Sequence, residues 1–92
     1  MSAILARLEE LGLTLPGVAA PVAAYVPAVQ SGNHIFTSGQ LPFVEGKLTH
    51  LGKVGAELTL EEAQAAAAIS ALNALAAVGS LTDLDNIVKI VR

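Results

Sequence analysis

Few side chains in this 92-residue chain could do chemistry. The candidates are Tyr25, the polar run Ser38-Gly39-Gln40, the histidines His34 and His50, and two close carboxylate pairs, Glu61–Glu62 and Asp83–Asp85. The sequence has no cysteine, which removes disulfides, thiolate catalysis and cysteine-based zinc sites. Neither histidine has acidic companions at ligand spacing, so the pair does not compose a metal site. Glu61 and Glu62 follow Thr59-Leu60, and Thr-x-x-Glu ahead of an apolar run is a capping box. Helix capping explains these carboxylates better than acid–base catalysis does. Asp83 and Asp85 read as turn formers, and Asn73 as a solvent-facing residue or a local packing contact. Taken alone, Tyr25 is a strand residue with its hydroxyl in water, and Ser38-Gly39-Gln40 is a polar corner that ends a strand before Pro42.

The elements that must position these groups are limited by size. A single domain over residues 1–92 is expected, burying roughly 60–65% of its unfolded surface by size scaling. Hydrophobic residues make up 53% of the chain, yet only Tyr25, Phe36 and Phe43 are aromatic, so the core must be built from Ala, Val, Leu and Ile. A small core with few charges suggests an oligomer or a piece of something larger. Net charge is −3 and the five cations (Arg7, Lys47, Lys53, Lys89, Arg92) are scattered, which argues against electrostatic capture of nucleic acid. No signal-like segment opens the chain. The alanine-rich run from Leu60 to Val78 is interrupted by Glu61, Glu62, Gln64, Ser70 and Asn73, so it is read as a soluble helix and the location as cytoplasmic.

In chain order, Ile4, Leu5, Leu8 and Leu11 predict an amphipathic helix over Ser2–Leu11, stopped by Gly12. Pro21 and Pro27 flank an extended edge strand, Val22–Gln30. Ser31-Gly32-Asn33 is a tight turn in which Gly and Asn accept positive φ, and His34–Ser38 is the returning strand. Glu45-Gly46-Lys47 forms another turn, with an irregular stretch or short strand over Leu48–Val54. A helix capped by Thr59 runs to about Val78, stopped by Gly79, with Ala65, Ile69, Leu72, Leu75 and Ala76 as its apolar stripe. Asn86–Arg92 alternates as a final strand, which a right-handed crossover would return to the same sheet. The predicted fold is α+β, an N-terminal helix followed by β-β-α-β. A strand ending at Arg92 is expected to be covered by another subunit, or to mark the chain as the first half of a longer protein.

Tyr25-Val26, then Val29, Gly32-Asn33, Ile35 and Thr37-Ser38-Gly39-Gln40 with Pro42, resemble the first hairpin of the Rid family (RidA or YjgF-like proteins, also labelled endoribonuclease L-PSP). The alanine-rich helix carrying Asn73, and Gly79-Ser80-Leu81-Thr82-Asp83-Leu84-Asp85-Asn86-Ile87-Val88-Lys89 after it, continue the resemblance. The Ser2–Leu11 lead-in is similar to an extended subgroup. The resemblance implies an incomplete chorismate-mutase-like fold and a homotrimer with clefts between subunits. It also implies hydrolysis of enamines and imines such as 2-aminoacrylate to a 2-keto acid and ammonia, without metal or organic cofactor. Tyr25 would line the cleft, and Ser38, Gly39 and Gln40 would form its floor. The family's substrate-clamping arginine and water-handling glutamate belong to a later half, so this length alone is expected to be inactive. A non-catalytic ligand-binding or regulatory protein is the alternative, and RNA cleavage a weaker one.

Overall fold

The computed structural model describes residues 3–18 and 26–91. Tyr25, the first residues of the expected Val22–Gln30 strand, and Arg92 lie outside them. Helix α1 is Ala3–Glu10. Gly12 (φ +74°) terminates it, with Gly12 N–H on Glu9 O at 3.0 Å and Leu13 N–H on Leu8 O at 2.8 Å. That pair of bonds is the Schellman arrangement, and glycine supplies the left-handed residue it requires.

Strands β1 (Ala28–Ser31) and β2 (His34–Thr37) form an antiparallel hairpin in the register Val29↔Phe36 and Ser31↔His34. Its two-residue loop has positive φ at Gly32 (58°) and not at Asn33, the type II′ pattern that matches strand twist. A second hairpin, unforeseen from the sequence, joins β3 (Phe43–Val44) to β4 (Lys47–Leu48). Both residues of its loop, Glu45 (φ 51°) and Gly46 (φ 79°), are left-handed, the type I′ pattern. Residues beyond Leu48 coil through a compact loop that includes a single parallel bridge, Val54↔Leu58.

Helix α2 is Leu60–Gly79 and packs against β2 and β3. Its capping box forms as expected: Glu62 N–H donates to Thr59 Oγ1 (3.2 Å), and Thr59 N–H to Glu62 Oε1 (3.0 Å). The expected stripe is rotated by about one residue. Ala65 is exposed, Ile69, Leu72 and Leu75 are half-buried, and the buried positions are Asn73, Ala76 and Ala77. A helix apolar nearly all round has no pattern that selects one face, so its neighbours decide. Gly79 is the last helical residue rather than a left-handed stop, and it lies beside Leu84, whose Cδ2 would make ordinary contact, at 3.6 Å, with a Cβ there. A 3-10 turn, Leu84–Asn86, follows.

Beyond that turn the expected final strand is not formed. Ile87 is extended, but residues 87–91 pair with no strand among the described residues, and Val88 is 98% exposed. Alternation specifies which side chains share a face; it cannot supply the neighbouring ladder that a strand needs. The buried apolar residues described are Leu8, Ala76, Ala77 and Leu84, so the core sits where α1, the end of α2 and the 3-10 turn meet. Among the described residues, no helix is long and apolar enough to cross a membrane.

Candidate functional site

Ser38, Gly39 and Gln40 lie between the two hairpins, in a segment held at both ends. At its start, Ser38 N–H donates to Pro27 O at 2.9 Å, extending the β1–β2 ladder by one pair. At its end, Phe43 N–H donates to Leu41 O at 2.8 Å, a γ-turn centred on Pro42, whose ring fixes φ. Leu41 O and Phe43 O each accept from Asn73 Nδ2, at 3.0 and 3.1 Å. Pro42 O accepts from Thr49 twice, from its N–H and its hydroxyl, both at 3.0 Å. Three successive carbonyls are therefore occupied by groups from α2 and from the strand-end after β4.

Between these anchors the backbone N–H groups of Gly39, Gln40 and Leu41 donate to no acceptor among the described residues. Gly39 and Leu41 are exposed and Gln40 half-buried, so these donors are open to a ligand. Consecutive uncommitted amides on a fixed backbone can bind a carboxylate or stabilise charge that develops on a reacting atom. The side chains at the corner are inward-bonded: Gln40 Nε2 reaches Ser38 O (3.3 Å) and Ser38 Oγ (3.4 Å), and that hydroxyl in turn reaches Pro27 O at 3.4 Å. No base in these contacts activates Ser38, so it reads as part of a binding floor rather than a nucleophile.

The other candidates separate from the corner by chemistry. His34 is exposed on β2 and stacks with Phe36 at 6.2 Å between ring centroids. His50 Nδ1 lies 2.7 Å from Thr49 Oγ1. With that hydroxyl donating to Pro42 O, the Thr49 contact calls for a donor at Nδ1, which ties that nitrogen to Thr49 rather than to the corner. Hydrogen bonds from Thr59, backbone first and side chain second, hold the Glu62 carboxyl below its ordinary value; His50 adds to this and slight desolvation opposes it. A carboxyl so lowered is a poor proton donor, which fits a cap and not a general acid.

Asn73 and Asp85 hold distant parts of the chain together, in place of the local roles expected of them. Asn73, taken as solvent-facing or a local contact, is 2% exposed and reaches partners 30 and 32 positions away in sequence. Its signal was available: a carboxamide inside the Ala/Leu part of a helix must either face water or find partners. Asp85, taken as a turn former, accepts the N–H groups of Ala3 (2.8 Å) and Ile4 (3.0 Å), capping α1 from the far end of the chain. Nothing local in the sequence marks that pairing. Asp83 does act locally, accepting from Asp85 N–H at 2.9 Å. A separate open groove of about 530 Å3, lined by Leu5, Leu15, Val18, Ala76 and Leu84 among others, does not include the corner. It is mainly apolar and lies apart from the polar Ser38-Gly39-Gln40 run, which remains the candidate site.

A family model described as "YjgF/chorismate_mutase-like, putative endoribonuclease" matches residues 5–92. The chain belongs to this family. Its YjgF-like relatives include protein TCP17 of Trypanosoma cruzi, 42% identical over 92 residues, covering 97% of this chain and 56% of that protein. The crystal structure of a "putative endoribonuclease" from Shewanella oneidensis MR-1 is 41% identical, with a TM-score of 0.76 over 82% of this chain and 50% of that one. Atu1372 of Agrobacterium tumefaciens, a protein of unknown function, is 44% identical, with a TM-score of 0.71 over 84% and 45% respectively. The YjgF/chorismate-mutase-like fold is thereby established, and the chain spans about half the length of the relatives it matches.

Proposed function

We propose that the Ser38–Leu41 corner is one wall of a cleft that hydrolyses small enamines and imines bearing a carboxylate, of the 2-aminoacrylate type. The observation that carries this reading is the row of uncommitted N–H groups at Gly39, Gln40 and Leu41, fixed at both ends. Such donors suit a substrate carboxylate or the charge that shifts as water adds to the imine carbon. An enamine first gains a proton on its methylene carbon and loses one from nitrogen to become the imine; water adds across C=N to give a carbinolamine, and loss of ammonia leaves the 2-keto acid. Hydrolysis of this kind asks for oriented donors and a placed water rather than a strong nucleophile, and the unactivated Ser38 is consistent with that. The resemblance adds Tyr25, which lies outside the described residues, as a further proposed substrate contact. The opposite wall, with groups that clamp the carboxylate and handle the water, is supplied by sequence corresponding to the other half of the relatives and by neighbouring copies in a cytoplasmic homotrimer.

The test is a coupled assay of 2-aminoacrylate turnover, run on this chain and on a version extended to the length of its relatives. The expected result is turnover by the extended protein and little by the 92 residues. An extended protein without turnover would sink the hydrolase reading. The closed bonding of Ser38 and Gln40 to each other favours one alternative, a cleft that binds 2-keto acids without catalysis; saturable binding with no turnover would select it. RNA cleavage, suggested by the label carried by relatives, is disfavoured by a net charge of −3 and scattered cations.

A further inference from the structure

We infer that Asn73 is a positioning residue for the Gly39–Leu41 donors, acting through the carbonyls of Leu41 and Phe43; its functional meaning rests on the cleft reading above. A primary amide nitrogen carries two hydrogens, and at 3.0 and 3.1 Å both are directed to these two acceptors. The residue is 2% exposed and sits in the middle of α2, a helix secured by its capping box. It therefore transmits the position of a rigid element to two carbonyls on either side of Pro42. Leu41 O receives both Asn73 and Phe43 N–H, which sets the backbone of the residue that donates the last free amide. The opposite end of the donor row is set by the Ser38 N–H to Pro27 O bond. Removing Asn73 leaves the corner held from β1, by Thr49 and by the short γ-turn at Pro42, with no tie to α2 to stop rotation of the peptide groups that carry the donors.

The burial also explains why an asparagine stands here. Two carbonyl oxygens at the edge of an apolar helix face need donors, and an unmet buried acceptor is costly. Aspartate, of the same shape, would present oxygens to oxygens. Leucine would fill the space and keep the helix but offer no donor. Glutamine would keep both donors on a longer arm.

Nuclear magnetic resonance of the intact 92-residue chain tests this, with pyruvate as the 2-keto acid probe. In the unmodified chain the Asn73 carboxamide hydrogens should exchange at least tenfold more slowly than those of an exposed asparagine. In Asn73→Leu, Phe43 N–H exchange should rise at least tenfold and the Gly39, Gln40 and Leu41 amides should lose order. Exchange of α2 amides and of the β1–β2 ladder should stay within twofold, a contrast that general destabilisation would not produce. Pyruvate-induced shifts at residues 39–41 should weaken about tenfold, and Asn73→Gln should recover part of both effects. Unprotected carboxamide hydrogens in the unmodified chain would overturn the inference, even if Asn73→Leu failed to fold. So would a corner equally ordered in a folded Asn73→Leu. An unmodified chain, and its extended version, in which pyruvate moves no corner amide would instead defeat the cleft reading, and the exchange data would still decide whether Asn73 holds the corner.

Discussion

The two ends of helix α2 are built on different terms. At its C-terminal end, Ala76 and Ala77 meet Leu84 and Leu8, the chain turns tightly through residues 80–86, and Asp85 bolts α1 in place. Around the hairpins, apolar side chains stay uncovered: Val29 and Phe36 are opposite each other on one face of β1–β2, and Phe36 is 59% exposed. Residues 87–91 leave Val88, Ile90 and Val91 exposed as well. The first end resembles a small finished core, and the second a surface that gains stability only when something covers it. Stability of the chain by itself should therefore reside almost wholly at the Leu84 end, while the candidate site depends on the other.

The largest expected effect follows directly. Leu84→Ala removes a buried side chain from the small core and should cost about 2–5 kcal/mol, enough to unfold a chain of this size. Phe36→Ser should change the stability of the monomer by no more than about 0.5 kcal/mol, because the ring is already in water. Urea melts of both variants, with sedimentation to establish that each is monomeric, check the contrast. If Phe36→Ser proves as damaging as Leu84→Ala, the hairpin face is covered in solution and the comparison fails.

Asp85→Ala comes next. The carboxylate accepts two of the orphan N–H groups at the start of α1, and loss of a cap costs about 1 kcal/mol. Exchange at Ala3 and Ile4 should accelerate, whereas the amides of β1–β2 should not respond. A response spread equally across both hairpins would mean that α1 supports the sheet end too, which the contacts of α1 with the 3-10 turn do not suggest.

What could be read from the sequence divides along the same line. The capping box, the Gly12 stop, the Gly32-Asn33 turn and the Glu45-Gly46 turn are local, each fixed by residue type within a few positions, and each is present. The YjgF-like fold was legible from the ordered pattern around residues 25–42 and 79–89. The rotated face of α2 was not, because alanine on every side gives the helix no preference until its neighbours arrive. Asn73 and Asp85 act across 30 or more positions, and a pattern read along one chain carries no such distances. The last strand was over-read: alternation at 87–91 is real, yet no ladder among the described residues receives it. At the candidate site, residue types identified the corner, whereas its free N–H groups and their two anchors could emerge only from three-dimensional geometry.

A smaller effect should appear at the β3–β4 turn. Glu45 sits at φ 51°, a left-handed conformation that costs a side-chain-bearing residue about 1 kcal/mol and glycine little. Part of that gain is returned as unfolded-chain entropy, so Glu45→Gly should leave a net stabilisation of a few tenths of a kcal/mol. Glu45→Asn should do at least as well, since asparagine tolerates this region with less entropy to lose. Destabilisation by both, seen in a urea melt, would mean that the Glu45 side chain has a role beyond the turn.

The smallest effect separates capping from catalysis at Glu62. Hydrogen bonds from Thr59 lower its folded-state pKa from the ordinary 4.5, so its charged form binds the folded chain better than the unfolded one. Stabilisation from a lowered carboxyl is complete above the unfolded value and disappears as pH falls through the folded one. Glu62→Gln keeps an acceptor for Thr59 N–H but has no charge to lose. The unmodified chain should therefore exceed Glu62→Gln slightly in stability at neutral pH, and the gap should close on acidification below pH 4.5. Because the carboxylate is solvent-exposed, added salt should narrow the gap further. A gap that widens in acid would reverse the sign of the linkage and remove the capping account. A gap that closes, with turnover of the extended protein unchanged by Glu62→Gln, would leave Glu62 entirely on the structural side of the helix, away from the corner that Asn73 holds.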